Sequence, residues 1–223
     1  MKLTFLLFFV SALYIQAQEI IQTPIPFSQK RIDLTKEYIK IHYKKDVDNI
    51  KIIPKIILVH HTAINSYEDS LSRFTSEALP SRRKDISSVR PSANVSSHFM
   101  VERDGTIHQL MPLDFMARHV IGLNYNSIGI ENVGGENSED NLTQAQLEAN
   151  IYLVQYLQKK FKTLKYLVGH YEYRCFEGTK LFLEMDAGYR TIKDDPSKRF
   201  MNALYKNTQG LKRAPCKSEV NGR

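Results

Sequence analysis

Three short apolar segments of this chain each end at residues that can take part in chemistry. KIILVHH ends on His60 and His61, NSIGIEN carries Glu131 next to its end, and LKYLVGH ends on His170. Short runs rich in Ile, Val and Leu are typical of buried strands. Because the carboxyl ends of parallel strands meet at one edge of an α/β sheet, where ligands bind, we expect these side chains to lie together. They indicate a metal-dependent hydrolase site, with a hydrogen-bonded core histidine as the ordinary alternative.

Strands and helices alternate along the chain, which predicts a single α/β domain with a central mixed β-sheet flanked by helices. The clearest hairpin is SSHFMVERDGTIHQLMP. The clearest helix is LTQAQLEANIYLVQYLQKKF, where Thr143 and Gln146 can form a capping box. We divide the chain into a signal peptide (1–17), an N-terminal leader segment with a short helix in TKEYIKIHYKK (18–50), a catalytic domain (51–206) and an exposed basic C-terminal tail (207–223).

The first residues have the composition of a secretory signal peptide. Lys2 is followed by an apolar stretch from Leu3 to Tyr14 and by the small residue Ala17. The stretch is shorter than the about 20 residues that span a bilayer, and no later segment is apolar enough to do so. We therefore expect an exported protein, in the periplasm or at the cell surface if bacterial and secreted otherwise, with an uncleaved anchor as the alternative.

The chain carries a formal net charge of +7, much of it near the C-terminus. Basic proteins favour polyanions such as acidic cell-wall polymers, although a solvated basic surface is the simpler interpretation, and we expect no nucleic-acid partner. The two cysteines, Cys175 and Cys216, form a disulfide in an exported protein or stay as free thiols. Because the chain has no C-x-x-C motif, a thiolate zinc cluster is not expected.

A catalytic zinc ion needs three protein ligands, an open position for water, and a proton carrier and a cation nearby. His60 and His170 are the candidate nitrogen ligands, and Glu131 is the candidate proton carrier. Asp195 is the candidate third ligand, because the proline after it favours an extended backbone, and Lys193 projects on the same side of such a segment. Taken singly, Asp195 could instead be a turn or capping residue, and Glu131 and Lys193 could be surface charges.

Taken in order, five segments resemble the zinc-dependent N-acetylmuramoyl-L-alanine amidases (amidase type 2), whose fold peptidoglycan recognition proteins share. They are VHHTA, SSHFMVERDGTIHQLMP, ARHVIGLNYNSIGIENVG, LVGHYEYR and KDDPSKRF, and the resemblance runs from about Ile52 to Leu204. It implies a peptidoglycan recognition protein-like fold with a zinc site at the strand ends. It also implies a cell-wall hydrolase, expected to be monomeric, that cleaves the amide between N-acetylmuramic acid and L-alanine in peptidoglycan or muropeptides. A recognition protein that binds peptidoglycan without cleaving it is the alternative.

The resemblance also implies roles for single residues. In the family, the first histidine of the strand-end pair, the histidine of the G-H segment and the aspartate before proline bind zinc. These positions correspond to His60, His170 and Asp195, which implies one zinc ion. Glu131 corresponds to the catalytic carboxylate, and Lys193 to the lysine that assists the transition state.

Other positions of the resemblance leave more than one role open. His98 and His119 match positions that line the cleft in the family, as substrate contacts or as structural residues, and Asn126 is assigned with them as a substrate contact. Residues 171–192 make this chain longer than the simplest family members, and we expect them to form a lobe that contacts the stem peptide or acts as a structural cover. Arg118 replaces the tryptophan of the family's W-H-A-G stretch.

Overall fold

The computed structural model of the protein describes residues 18–81 and 92–216. The predicted signal peptide (1–17) and residues 217–223 of the tail lie outside this part of the chain. The described residues include six strands and four α-helices, and none of these helices is long and apolar enough to cross a bilayer. In chain order the elements are β1 (Ile20–Gln22), α1 (Gln29–Tyr43), β2 (Ile56–His61), α2 (Tyr67–Thr75), β3 (Phe99–Val101), β4 (Ile107–Gln109), β5 (Ser127–Asn132), α3 (Gln144–Lys160), β6 (Tyr166–Gly169) and α4 (Lys198–Asn207).

The six strands form one mixed sheet in the order β1-β4-β3-β5-β2-β6. The hairpin pair β3–β4 is antiparallel and the other neighbouring pairs are parallel. The three apolar segments are β2, β5 and β6, which lie side by side, with His60 paired to Glu131 and Val59 paired to Gly169. His170 follows β6 directly and therefore lies at the same edge. The predicted fold class and the shared strand edge are confirmed.

Both faces of the sheet are covered, which explains why the central strands β2, β5 and β6 are rich in apolar residues before the polar residues at their carboxyl ends. On one face, Val154 of α3 and Phe200 of α4 belong to a cluster that includes Ile57. On the other face, Tyr173 belongs to a cluster that includes Leu58, and it lies in a 3-10 helix that follows β6 (His170–Phe176). Helices α3 and α4 on one face and the 3-10 helix on the other thus stabilise the edge where the strands end.

Local hydrogen bonds determine where two of the helices begin. In α3 the Thr143 hydroxyl accepts from the N–H of Gln146, and the Gln146 side chain accepts from the N–H of Thr143, so the predicted capping box forms. Ser197 caps α4 by accepting from the N–H of Phe200. Because this cap lies two residues after Asp195, it helps to fix the segment that carries the third candidate ligand.

The segment expected as a leader (18–50) is built into the fold. β1 pairs in parallel with β4, and α1 begins directly after its cap Ser28. This helix starts earlier than the sequence pattern suggests, because Ser28 accepts from the N–H of Lys30. Ile39 on its buried face packs with Ile50 and Met116. The segment therefore completes the sheet and covers part of the core.

The C-terminal stretch is largely exposed, as expected, but its backbone is attached to the sheet. The N–H of Leu167 donates to the carbonyl of Lys212 at 2.9 Å, and the N–H of Lys212 donates to the carbonyl of Lys165 at 2.8 Å. A disulfide joins Cys216 to Cys175. The residues after α4 therefore close the outer edge of β6 instead of forming a free tail.

Candidate functional site

The three predicted ligands converge at the carboxyl edge of the sheet. His60 Nδ1 lies 2.9 Å from His170 Nδ1 and 3.3 Å from Asp195 Oδ2, and His170 Nδ1 lies 3.0 Å from the same oxygen. Ligand atoms of a tetrahedral zinc site with bonds near 2.0 Å are about 3.3 Å apart. This triangle of buried nitrogen and oxygen atoms therefore matches, in size and in ligand type, one face of a zinc site.

Hydrogen bonds next to the ligands hold this arrangement. The carboxylate of Glu172 accepts from the N–H of Gly169 at 2.9 Å, which stabilises the turn that begins with His170. The N–H of Tyr171 donates to the backbone carbonyl of Asp195 at 2.9 Å. The peptide bond after Asp195 is cis. This backbone hydrogen bond thus connects the residue after the candidate ligand His170 with the candidate ligand Asp195, although the two ligands are distant in sequence.

The electrostatics of these residues favour the protonation states that bind a metal. Burial, reinforced by the neighbouring His170, lowers the pKa of His60 from 6.5 to about 4, so this imidazole is neutral at neutral pH. Burial opposes ionisation of Asp195, but His170 and His60 outweigh it and hold the pKa of the carboxyl well below its usual range. Neutral imidazole and ionised carboxylate are the forms that coordinate metals.

A cleft of about 600 Å³ opens over the three ligands, and Glu131, Lys193 and His119 also line it. Glu131 is the strand partner of His60, and its Oε2 is buried without a hydrogen-bond partner among the described residues. Burial and the charge of Asp195 raise the pKa of Glu131 well above its usual range, against the opposing effect of Lys193. A carboxyl group in this environment is suited to take up a proton and pass it on.

Two residues predicted to contact substrate lie elsewhere. His98 is fully buried, donates from Nε2 to the carbonyl of Phe115 at 2.9 Å and accepts at Nδ1 from the N–H of Gly129 at 3.1 Å. The buried Asn126 amide donates to the carbonyl of Leu181 at 2.9 Å. Neither is among the described residues that line the cleft. Because their polar groups are engaged with the backbone, these contacts favour the structural role that the sequence left open for His98, and we propose a structural role for Asn126 as well.

His119 does line the cleft, but its ring is also engaged within the protein. Nδ1 lies 2.9 Å from His60 Nε2, and Nε2 lies 3.1 Å from Ser127 Oγ. Its two nitrogens are therefore directed at a candidate metal ligand and at the sheet.

Comparison with known proteins agrees with this geometry. Residues 50–198, more than half of the chain, match the family described as N-acetylmuramoyl-L-alanine amidase. The chain belongs to this family. An endolysin of Klebsiella phage KP32 is 35% identical over 83 residues, which are 35% of this chain and 54% of that protein. The chain thus spans about half the length of this curated relative.

Solved structures support the amidase-family fold. The endolysin amidase LysCS from Clostridium intestinale URNW matches with a TM-score of 0.53 and 19% identity, over 86% of this chain and 96% of that chain. The bumblebee protein PGRP-SA matches with a TM-score of 0.51 and 16% identity, over 90% of this chain and 99% of that chain. At these identities the similarity concerns the fold, and it confirms the peptidoglycan recognition protein-like architecture.

In this member of the amidase family, residues 171–192 are anchored on the core beside the cleft. Glu184 is buried, and its Oε2 lies 3.0 Å from His42 Nδ1 of α1. The hydroxyl of Tyr189 accepts from the guanidinium of Arg118 at 3.0 Å. These buried contacts favour the structural cover, one of the two roles that the sequence left open for this lobe.

Arg73, Ile64 and Ile192 are among the further residues that line the cleft of this amidase-family protein, and the sequence analysis did not identify them. Arg73 lies in the last turn of α2, Ile64 follows β2, and Ile192 precedes Lys193. The positions of Arg73 and Ile64 depend on how the chain folds back after β2, which no local pattern reveals. Ile192 is 93% exposed. An isoleucine beside a candidate catalytic lysine was the signal that could have identified it.

Proposed function

We propose that the protein is a zinc-dependent N-acetylmuramoyl-L-alanine amidase, which hydrolyses the amide between N-acetylmuramic acid and L-alanine in peptidoglycan or muropeptides. The observation that carries the proposal is the triangle of His60 Nδ1, His170 Nδ1 and Asp195 Oδ2, with sides of 2.9, 3.0 and 3.3 Å, in a cleft that Glu131 also lines. Membership of the amidase family supports the choice of amide.

The donor set of the triangle fits a hydrolytic zinc site, which has three protein ligands and one open position. His60, His170 and Asp195 would hold the ion. When bound, zinc would polarise the scissile carbonyl and lower the pKa of a coordinated water to about 7. The protein would supply the proton transfers and the remaining charge stabilisation.

Glu131 would carry the proton. Its Oε2 has no partner among the described residues and could accept a proton from the attacking water, which the carboxyl would hold until the amine leaves. Transfer of the proton to the amide nitrogen accompanies cleavage of the C–N bond, which leaves a lactyl carboxylate and a free L-alanine amine. Lys193 lines the same cleft, and its positive charge would stabilise the oxygen that becomes negative in the transition state.

The enzyme would act outside the cytoplasm, as a monomer, in the periplasm or at the cell surface if its source is bacterial and as a secreted protein otherwise. The composition of residues 1–17 supports export. The disulfide between Cys175 and Cys216 agrees with an oxidising compartment. A net charge of +7 suits contact with acidic cell-wall polymers.

Digestion of purified peptidoglycan, with products identified by mass spectrometry, tests the proposal. We expect stem peptides that begin with a free L-alanine amine, and glycan that keeps intact N-acetylmuramic acid. A chelator should stop their release, and added zinc should restore it.

Glu131→Gln is the matched control, because the amide keeps the shape of the side chain but cannot take the proton. This variant should bind zinc as the wild type does and release little peptide. A wild-type protein that binds peptidoglycan but releases no stem peptide with saturating zinc would refute the proposal and would be a non-catalytic recognition protein.

A further inference from the structure

A chain of hydrogen-bonding groups runs from the candidate ligand His60 into the sheet. His60 Nε2 lies 2.9 Å from His119 Nδ1, His119 Nε2 lies 3.1 Å from Ser127 Oγ, and Ser127 Oγ lies 2.9 Å from the carbonyl oxygen of Leu123. We propose that His119 is a positioning residue that fixes the tautomer and orientation of His60, so that the Nδ1 lone pair of His60 faces the other two ligands. This inference rests on the proposed function, and it takes up the structural role that the sequence left open for His119 beside a substrate contact.

One direction of donation satisfies every contact in this chain. The carbonyl of Leu123 can only accept, so the Ser127 hydroxyl donates to it and accepts from His119 Nε2–H. A neutral His119 then has no proton on Nδ1 and accepts from His60 Nε2–H. A neutral His60 keeps its lone pair on Nδ1, the atom that lies within 3.3 Å of both other ligands. The hydrogen bond made by one ring nitrogen thus decides which nitrogen can bind a metal.

The position of His119 is itself closely confined. A Cβ atom on Gly129 would lie 2.9 Å from Cγ and Nδ1 of the His119 ring, so the ring occupies space that a side chain at this strand position would need. The backbone N–H of His119 donates to Oδ1 of the buried Asn124 at 2.8 Å, and so does that of Val120. A ring held in this way can resist rotation of the imidazole of His60.

Both ring nitrogens of His119 are used within this chain, so neither is free to bind a group of the substrate. Its effect on the reaction would therefore pass through His60. Outer partners of metal-bound histidines typically contribute about 10-fold to 100-fold to metal affinity. We expect the loss of His119 to weaken zinc binding by a similar factor.

Zinc affinity of the full-length protein, measured by competition with a chromophoric chelator, tests this role. His119→Ala should weaken binding by about 10-fold to 100-fold, and His119→Gln should recover much of the loss, because its amide can both accept and donate. Ser127→Ala acts one bond further away and should weaken binding by about threefold to tenfold. Ser97→Ala is the matched control. It also removes a buried hydroxyl near Gly129, but one without a hydrogen-bond partner among the described residues.

Nitrogen-15 NMR of the histidine rings in metal-free protein, recorded where the imidazoles are neutral, gives a readout that depends on neither zinc nor activity. We expect protons on Nε2 of His60 and His119 in the wild type and in Ser97→Ala. Ser127→Ala should show a mixture of tautomers, because the group that determines the direction of donation is gone.

A wild-type His60 protonated on Nδ1 would overturn the inference, as would zinc affinities of His119→Ala and Ser127→Ala equal to that of Ser97→Ala. If His119→Ala does not fold, the comparison of Ser127→Ala with Ser97→Ala decides. A wild-type protein that binds zinc but leaves peptidoglycan intact would refute the proposed function alone, since the affinities and tautomers would still decide the role of His119.

Discussion

Loss of the disulfide between Cys175 and Cys216 is expected to destabilise the protein. The bond joins residues 41 positions apart. Closing a loop of that length in the unfolded chain removes conformational entropy worth about 4 kcal/mol at 25 °C. In the native state the same stretch keeps its backbone bonds, because Lys212 remains paired with Leu167 and Lys165. We therefore expect Cys216→Ser to lower the free energy of unfolding by about 3 to 4 kcal/mol.

Equilibrium unfolding in guanidinium chloride measures this change. Cys175→Ser and Cys216→Ser should lose the same free energy, and the double variant should lose no more than either, because all three lack the same bond. Reductant should destabilise the wild type by this amount and leave the variants unchanged. The folded variants should bind zinc as the wild type does, since neither cysteine belongs to the ligand triangle.

A loss below about 1 kcal/mol in all three variants would refute the entropic reasoning, because it would mean that the unfolded chain is hardly constrained by the bond. A double variant much less stable than either single variant would show that the serines introduce separate defects. Reduced zinc affinity in the folded variants would show that the C-terminal stretch and the candidate metal site are not independent.

Three further variants test the site and the core. Glu131→Gln should lower kcat by about 100-fold to 10,000-fold with unchanged zinc content by mass spectrometry, and wild-type turnover would exclude Glu131 as the proton carrier. Asp195→Ala removes a proposed zinc ligand and should weaken zinc binding by more than about 100-fold in chelator competition, whereas wild-type affinity would show that Asp195 is not a ligand. Burial lowers the pKa of the His98 imidazole from 6.5 to about 4, so the unfolded state binds more protons than the folded state between these two pH values. The free energy of unfolding that His98 contributes above pH 6.5 is therefore lost as the pH falls towards 4. This loss is up to about 3 kcal/mol, so the free energy of unfolding of His98→Gln, measured with urea on metal-free protein, should fall less steeply with decreasing pH than that of the wild type. An unchanged pH dependence would contradict the assignment of His98 as a buried neutral imidazole.

Local pattern was enough to predict the parts of the fold that are determined by burial and capping. Strands β2, β5 and β6 were predictable because a strand covered on both faces is apolar throughout. Their ends brought His60, Glu131 and His170 to one edge by the geometry of parallel strands. Asp195 lies 25 positions after His170. Its return to the same edge rested on the resemblance of the K-x-D-P segment, because no local rule states where such a loop comes back.

Features that depend on contacts between distant segments were not predictable. β1 is three residues long, and its pairing with β4 is what makes it a strand. His98 and His119 received the same prediction, because the sequence does not reveal their hydrogen-bond partners. Backbone groups occupy both nitrogens of His98, whereas His119 faces the candidate metal ligand His60 and Ser127.

The segment between His170 and Asp195 leaves the candidate metal site and comes back to it at a single point. Because the N–H of Tyr171 is bonded to the carbonyl of Asp195, the two ends of this excursion are fastened together independently of what lies between them. Glu172, Tyr173 and Cys175 at its start hold the turn at His170, the core and the disulfide, so an engineer could exchange only the residues after them for a loop of different length and retain the ligand geometry. Glu184 of the excursion, however, is buried against His42 of α1. The helix and the loop would therefore have to be transplanted as a pair, so that the contact between His42 and Glu184 is kept.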